Sequence, residues 1–140
     1  MTTSAFLDTN VLMYAFANQA SFPSDPRTQK AEHVLSLGGV VSVQVLNEFT
    51  DVADRKWKMP WKSIEESVHW IGLLCGRPVP LTDETYAAAL QLSKRYGFRI
   101  YDSLIVASAI KAGCSTLLTE DLQHGQVIDG LRIENPFLGP

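Results

Sequence analysis

The stretch Phe6-Leu7-Asp8-Thr9-Asn10-Val11-Leu12 sets three polar residues between two apolar pairs. With the preceding Ala5, the first pair predicts a short buried strand, and the second pair predicts the first turns of a helix. A carboxylate directly after a buried strand is costly unless it has partners. Asp8 is therefore either the N-cap of the helix that follows or part of a functional site.

Strand and helix patterns alternate along the rest of the chain. Buried strands are predicted at residues 40–43 and 115–119, a last strand at 131–133, and an extended connector or short edge strand at 78–81. A loop is expected at 21–25, and Asp25-Pro26 predicts a helix start. Helical spacing covers 11–16, 26–37, 45–57, 60–74, 83–96 and 101–112. This alternation predicts an α/β fold: a three-layer α/β/α sandwich, Rossmann-like, with a central parallel sheet.

Composition excludes several classes of protein. The chain has 140 residues, enough for one domain over 1–140, and 46% of them are hydrophobic while 19% are charged, which excludes a disordered or fibrous protein. No apolar run approaches the length of a membrane span. The net charge of −3 argues against binding nucleic acid by bulk charge alone, but it leaves room for a local basic groove.

Targeting and cysteine patterns point to the cytoplasm. The first residues lack the basic start of a signal peptide. Cys75 and Cys114 are isolated, which favours reduced thiols in a cytoplasmic protein. The three histidines are scattered and form no zinc motif.

Acidic residues follow the predicted strands. Asp8 follows the first strand, Asp121 follows the strand at 115–119, and Asp102 opens the apolar helix that begins after Arg99-Ile100-Tyr101. Glu48 falls at the rim of the apolar face of the helix after residues 40–43. Each acid has a structural alternative: Asp102 as a helix cap, Asp121 as a turn former, and Glu48 as a side chain that leans into water.

Taken together, the four acids predict a cation site. In such a sheet the ligand crevice lies beyond the carboxyl ends of the strands. Carboxylates gathered there raise each other's pKa, and a divalent cation removes that conflict. Carboxylate oxygens suit Mg²⁺ or Mn²⁺, whose bound water is a ready nucleophile for cleaving phosphodiesters.

Three blocks of sequence contain the four acids. The first block is Phe6-Leu7-Asp8-Thr9-Asn10-Val11-Leu12, and the second is Ser42-Val43-Gln44-Val45-Leu46-Asn47-Glu48-Phe49. The third is Tyr101-Asp102-Ser103-Leu104-Ile105-Val106-Ala107-Ser108-Ala109, followed by Leu118-Thr119-Glu120-Asp121-Leu122. Together they resemble the PIN-domain ribonuclease family, and most closely its VapC-type toxins. They occur in the family's order and at its spacing, and they cover nearly the whole chain.

The resemblance implies a single PIN domain with a PIN-like fold that cleaves RNA to a 5′-phosphate and a 3′-hydroxyl. It implies that Mg²⁺ or Mn²⁺ binds an acidic quartet, namely Asp8, Glu48, Asp102 and Asp121. It also implies polar groups that orient the carboxylates or the bound water, namely Thr9, Asn10, Ser42 and Thr119. Family members commonly form homodimers, and a small antitoxin holds the toxins inactive. His124 departs from the pattern, because relatives often carry another acid in that turn.

Two clusters of bases and aromatic residues are candidates for RNA contact. The first cluster contains Arg55, Lys56, Lys58 and Lys62 with Trp57 and Trp61, and the second contains Lys94, Arg95 and Arg99 with Tyr96, Phe98 and Tyr101. Such mixtures hold phosphates and stack unpaired bases. The residues expected to bind RNA are Arg99, Arg55, Lys56, Lys58 and Trp57. The alternative is a solvated helix end with core or dimer-contact aromatics.

Other functions remain as alternatives. These are a PIN nuclease without an antitoxin, and a PIN-like module that binds nucleic acid without cleaving it. A phosphotransferase of the haloacid dehalogenase type needs a second acid two residues after the first, where this chain has Asn10. A dinucleotide-binding protein needs a glycine-rich GxGxxG turn, which the sequence lacks.

Overall fold

The computed structural model describes residues 4–17 and 25–139, so all of the predicted loop at 21–25 except Asp25 lies outside the described residues. Within them, the strands and helices follow one another in the order β1 (Phe6–Leu7), α1 (Thr9–Ala15), α2 (Pro26–Ser36), α3 (Val43–Arg55), α4 (Trp61–Cys75), α5 (Asp83–Tyr96), α6 (Ile100–Lys111), β2 (Thr116–Leu118), β3 (Val127–Ile128) and β4 (Leu131–Glu134). Among the described helices, none combines the length and apolar character that a bilayer crossing requires.

The strands form one sheet in the order β1-β2-β4-β3. Strands β1 and β2 are parallel, with Leu7 opposite Leu118, and β2 and β4 are parallel, with Leu118 opposite Glu134. The predicted α/β class with a central parallel sheet is confirmed. The sheet departs from it at one edge, where β3 pairs with β4 in antiparallel fashion.

The prediction of a strand at residues 40–43 is wrong. Val40 makes one isolated bridge to Phe6, and Ser42 makes one to Val79. The chain leaves the sheet at once because Ser42 is the N-cap of α3, whose first residue is Val43. β-branched residues at this point satisfy burial without forming a continuous ladder.

The antiparallel hairpin of β3 and β4 was not predicted. Its turn is Asp129-Gly130, and both residues have positive φ, at 48° and 85°. Positive φ at both central positions is the geometry of a type I′ hairpin turn, which Asp-Gly favours. The dipeptide was the available signal, but β3 is only two residues long.

The core lies where α6 packs against the strands. Residues 103–109 of α6 are all buried, as the apolar composition of that helix predicted. On the sheet, Leu117 lies in register between Phe6 and Ile133, and all three residues are fully buried. This packing fixes the carboxyl ends of β1 and β2 relative to the N-terminus of α6, which is the region where three of the predicted acids lie.

We expect Gly39→Ala to destabilise the protein, because a Cβ at Gly39 would lie 2.9 Å from the carbonyl oxygen of Ala5 and 3.1 Å from Cγ of Leu7. The free energy of unfolding should fall by about 1–3 kcal/mol in urea titrations. Gly72→Ala is the matched control, since Gly72 lies within α4 with open space around it. That change should raise stability by about 0.5–1 kcal/mol. Equal stability of the two variants would contradict this packing.

Candidate active site

Asp8 is a buried carboxylate at the end of β1. It is only 4% exposed, and its backbone N–H continues the β1–β2 pairing by donating to the carbonyl oxygen of Leu118. One carboxylate oxygen accepts from the N–H of Thr9 at 2.6 Å, and the other accepts from the hydroxyl of Thr119 at 2.7 Å. Burial raises the pKa of Asp8 to about 7 against these hydrogen bonds, and Asp121 and Glu48 raise it further. Asp8 therefore caps α1 and also lies among other acids.

Thr119 organises the carboxyl end of β2. Its side chain is fully buried, and its hydroxyl donates to Asp8. The same oxygen accepts from Nδ2 of Asn10 at 3.1 Å and from the N–H of Asp121 at 3.0 Å. A hydroxyl has one donor and two acceptor sites, so Thr119 uses its full capacity. It links Asp8 on β1 to the turn that carries Asp121.

Asn10 holds Asp121 from the first turn of α1. Its Nδ2 donates to Oδ2 of Asp121 at 3.1 Å, in addition to its bond to Thr119. Its Oδ1 is buried without a hydrogen-bond partner. A buried amide oxygen without a partner is unusual, and it leaves one free hard acceptor beside the acids.

Glu48 reaches the same region from α3. Oε2 of Glu48 accepts from the hydroxyl of Thr9 at 2.6 Å, and Oε1 accepts from Nε2 of Gln44 at 3.4 Å. The side chain is half-buried at the rim of the apolar face, where the helical spacing predicted it. Thr9 thus joins the glutamate of α3 to the Asp8 end of β1.

Asp102 completes the group from the first turn of α6. Burial raises its pKa, Asp121 raises it further, and the guanidinium of Arg99 opposes them. Among residues 4–17 and 25–139, none hydrogen-bonds this carboxylate. Charge interactions therefore connect all four acids: Asp8 with both Asp121 and Glu48, and Asp121 with Asp102. Of the predicted orienting residues, Thr9, Asn10 and Thr119 contact them.

Ser42, which was expected to orient the acids, and His124, which departs from the family pattern, both lie apart from this group. The hydroxyl of Ser42 accepts from the N–H of Val45 at 3.2 Å, so it caps α3 and affects Glu48 only through the helix. Nδ1 of His124 accepts from the N–H of Asn135 at 3.0 Å, which ties its turn to the segment after β4.

The residues expected to bind RNA divide into two groups. Lys56 and Trp57 line a groove of about 920 Å³ that begins at Asn10, and Arg99 lies close enough to Asp102 to lower its pKa. Arg55 extends into solvent and pairs with Asp51 at 3.9 Å. Lys58 follows α3 with a φ of 52°, a conformation that is uncommon for residues other than glycine.

A polar network beside the groove was missed by the sequence analysis. Glu120, next to Asp121, accepts from the phenol of Tyr14 and from Nη1 of Arg27. Tyr14 lies four residues after Asn10 on α1, so the two share a face, and that spacing was the available signal. No sequence pattern indicated the contact of Arg27 with Glu120, because the two residues are 93 positions apart.

The oxygen atoms of the four acids suit a hard divalent cation, although in this structure their side chains do not point to one common position. In the described part of the chain, no three acidic, histidine or cysteine side chains are arranged to hold a metal ion. Asp8, Glu48 and Asp121 each face a threonine or asparagine donor instead. The available ligands are all oxygen, and the unpartnered Oδ1 of Asn10 adds a neutral one. Mg²⁺ and Mn²⁺ prefer this chemistry.

Comparisons with known proteins identify relatives. The family model described as PIN domain matches residues 5–128. The fold is similar to a solved toxin–antitoxin complex from Klebsiella pneumoniae, with a TM-score of 0.69 and 18% identity over 96% of this chain and 98% of that one. It is also similar to the sarcin–ricin loop cleaving toxin VapC20 of Mycobacterium tuberculosis, with a TM-score of 0.64 and 20% identity over 84% of this chain and 92% of that one. At these low identities, the TM-scores establish a shared fold and nothing more. No curated protein matches the sequence.

We expect the stability of the metal-free protein to fall as the pH rises from about 4 to about 7. Asp8 keeps its proton to about pH 7 in the folded state, whereas its ordinary pKa is 3.8, so the folded state binds more protons in this window. The full difference corresponds to about 4 kcal/mol.

Urea unfolding of the parent and of Asp8→Asn across this window measures the effect, because the amide cannot titrate. The stability advantage of Asp8→Asn should grow with pH. A constant difference between the two proteins would show that Asp8 is not held protonated.

Proposed function

Because the chain belongs to the PIN domain family, we propose that it is a metal-dependent endoribonuclease that hydrolyses RNA phosphodiester bonds. The observation that carries this proposal is the electrostatic connection of the four acids. They come from four separate elements, and one of them, Asp8, is a buried carboxylate whose pKa is raised to about 7. A protein gains nothing in stability from such crowding, since each charge destabilises its neighbours. A cation-dependent activity explains why they are together.

The cation in this proposal is Mg²⁺ or Mn²⁺, held by Asp8, Glu48, Asp102 and Asp121. When bound, it supplies Lewis acidity that makes water a better nucleophile and stabilises charge on a phosphoryl oxygen. The chain's own part is to keep the carboxylates oriented. Thr119 holds Asp8, Thr9 holds Glu48 and Asn10 holds Asp121. The free Oδ1 of Asn10 is an acceptor for a proton of water at this site.

The RNA strand in this proposal crosses the acids and enters the groove at Asn10. Lys56 holds a phosphate there, and the indole of Trp57 offers a face for an unpaired base. Arg99 holds a phosphate next to Asp102. Arg55 and Lys58 contribute charge further along the strand. A cation on the four acids leaves the rest of the chain with a small excess of bases, so the net charge of −3 does not oppose RNA binding.

We extend the proposal to the cellular role. The chain is the toxin of a type II toxin–antitoxin module, acts in the cytoplasm as a homodimer of a single PIN domain over 1–140, and is inhibited by a cognate antitoxin. The support is the fold shared with a solved toxin–antitoxin complex and with a toxin. The second candidate is a nuclease without an antitoxin. Cell growth after induction distinguishes the two candidates. Only a toxin should arrest growth, and co-expression of a small protein encoded beside it should restore that growth.

The proposed reaction is tested with single-stranded RNA and Mn²⁺. The purified protein should cleave the RNA to 5′-phosphate and 3′-hydroxyl ends, and a chelator should abolish cleavage. Asp8→Asn should lower the rate by about 100-fold or more, since it removes a charge that acts in the transition state. Asp54→Asn, on α3 outside the group of four acids, is the control. If folded Asp8→Asn cleaves as fast as the parent, the chain is not this enzyme, and a protein that binds RNA without cleaving it is the non-catalytic alternative.

The groove is tested by Lys56→Ala. Loss of one phosphate contact should raise KM about 3- to 10-fold, leave kcat unchanged, and reduce the slope of log affinity against log salt by about 0.7. Lys111→Ala is the control, because Lys111 lies at the opposite end of α6 from Asp102 and pairs with Glu84. An unchanged salt slope in Lys56→Ala would remove the groove from the RNA path.

A further inference from the structure

Two adjacent acids follow Thr119, and their side chains have different partners. Asp121 is held by Asn10 and interacts with the charges of Asp8 and Asp102. Glu120 is held by the phenol of Tyr14 and by Nη1 of Arg27, the latter at 3.4 Å. A fifth carboxylate so close in sequence therefore has its own partners, separate from those of the other four.

Tyr14 is itself fixed on two sides. The guanidinium of Arg27 lies 4.2 Å from the centre of its ring. The ring of Phe137 packs edge-on against it, with the centroids 5.1 Å apart and an interplanar angle of 83°. Both arrangements are favourable for aromatic rings. The phenol oxygen is therefore held in place when it donates to Glu120.

Arg27 is fixed by the start of α2. Its Nε and Nη2 donate to the two oxygens of Asp25 at 3.0 and 2.8 Å, and its backbone N–H donates to the same side chain. This fork-like pairing leaves Nη1 for Glu120. The turn after β2 is thereby tied to α2 as well as to α1.

Both adjacent acids are hydrogen-bonded by residues of the same helix, α1. Asn10 and Tyr14 are one helical turn apart and project from the same face. Asn10 holds Asp121, and Tyr14 holds Glu120. One helix thus holds the side chains of both Glu120 and Asp121. These two residues form the turn that follows Thr119, directly after the end of β2.

We propose that Glu120 is a positioning residue, and that Tyr14 and Arg27 hold it so that the turn presents Asp121 to the other acids and keeps Glu120 away from them. The inference rests on the proposed function, since it concerns how the cation site is built. It explains why both carboxylate oxygens of Glu120 accept hydrogen bonds, whereas neither oxygen of Asp102 does so among the described residues.

The network is a weak source of stability. The side chain of Arg27 is 43% exposed, and ion pairs at this exposure contribute little to stability because water screens them. If the network has a purely structural role, its loss should change both the melting temperature and the Mn²⁺ affinity only slightly. If it has a positioning role, its loss should change the melting temperature slightly and the Mn²⁺ affinity strongly.

The test measures Mn²⁺ affinity by titration calorimetry. Tyr14→Phe and Glu120→Ala should each raise the Kd about tenfold, as loss of a residue that orients a ligand does. Glu120→Gln keeps an acceptor for the phenol and should stay within about threefold of the parent. Tyr86→Phe, the same change at an exposed phenol of α5, is the control. In an Asp121→Asn background, Tyr14→Phe should have less than about a twofold effect, because it acts through Asp121.

Hydrogen exchange of metal-free protein separates this inference from the proposed function. Tyr14→Phe and Glu120→Ala should speed exchange at the Asp121 amide, which donates to Thr119, by about tenfold, while Glu120→Gln should not. If these two variants exchange faster but the parent protein binds no Mn²⁺, the proposed function is overturned and the positioning role is supported. Unchanged exchange, or an equal loss of Mn²⁺ affinity with and without Asp121, overturns the positioning role.

Discussion

The burial of Asp8 is the constraint from which the rest of the site follows. The register of β1 against β2 places this carboxylate at the end of β1, away from water. A charge there is tolerable only with partners. Thr119 and Thr9 supply them, yet burial still raises the pKa of Asp8 to about 7. At the carboxyl end of the sheet, Asp8 is therefore either protonated or, in the proposed function, neutralised by a cation.

The acids around Asp8 support the proposed cation over a proton as the group that neutralises this carboxylate. Asp121 and Glu48 raise the pKa of Asp8, and Asp121 also raises that of Asp102. Protonating several carboxylates would relieve this repulsion at low pH, but at neutral pH a divalent ion does so more completely. The helices then serve to orient oxygen atoms. The first turn of α1 carries Thr9 and Asn10 to three different partners, namely Glu48, Thr119 and Asp121.

Much of this arrangement was predictable from the sequence. Acids after parallel strands meet at one edge, which is why the positions of Asp8 and Asp121 followed from strand pattern alone. The rim position of Glu48 followed from helical spacing.

Other features could not be predicted from local pattern. The prediction of a strand at 40–43 was wrong because the pattern of β-branched residues does not reveal that Ser42 caps a helix. The hairpin of β3 and β4 was not predicted because β3 has only two residues. The contact of Tyr14 with Glu120 joins residues 106 positions apart, which no local pattern encodes.

The central claim is that four carboxylates from separate elements form one cation site. Anomalous scattering from crystals soaked in Mn²⁺ tests it without reference to RNA. The expected result is a peak bounded by Asp8, Glu48, Asp102 and Asp121. A peak elsewhere on the molecule, or no peak at all, would contradict the claim.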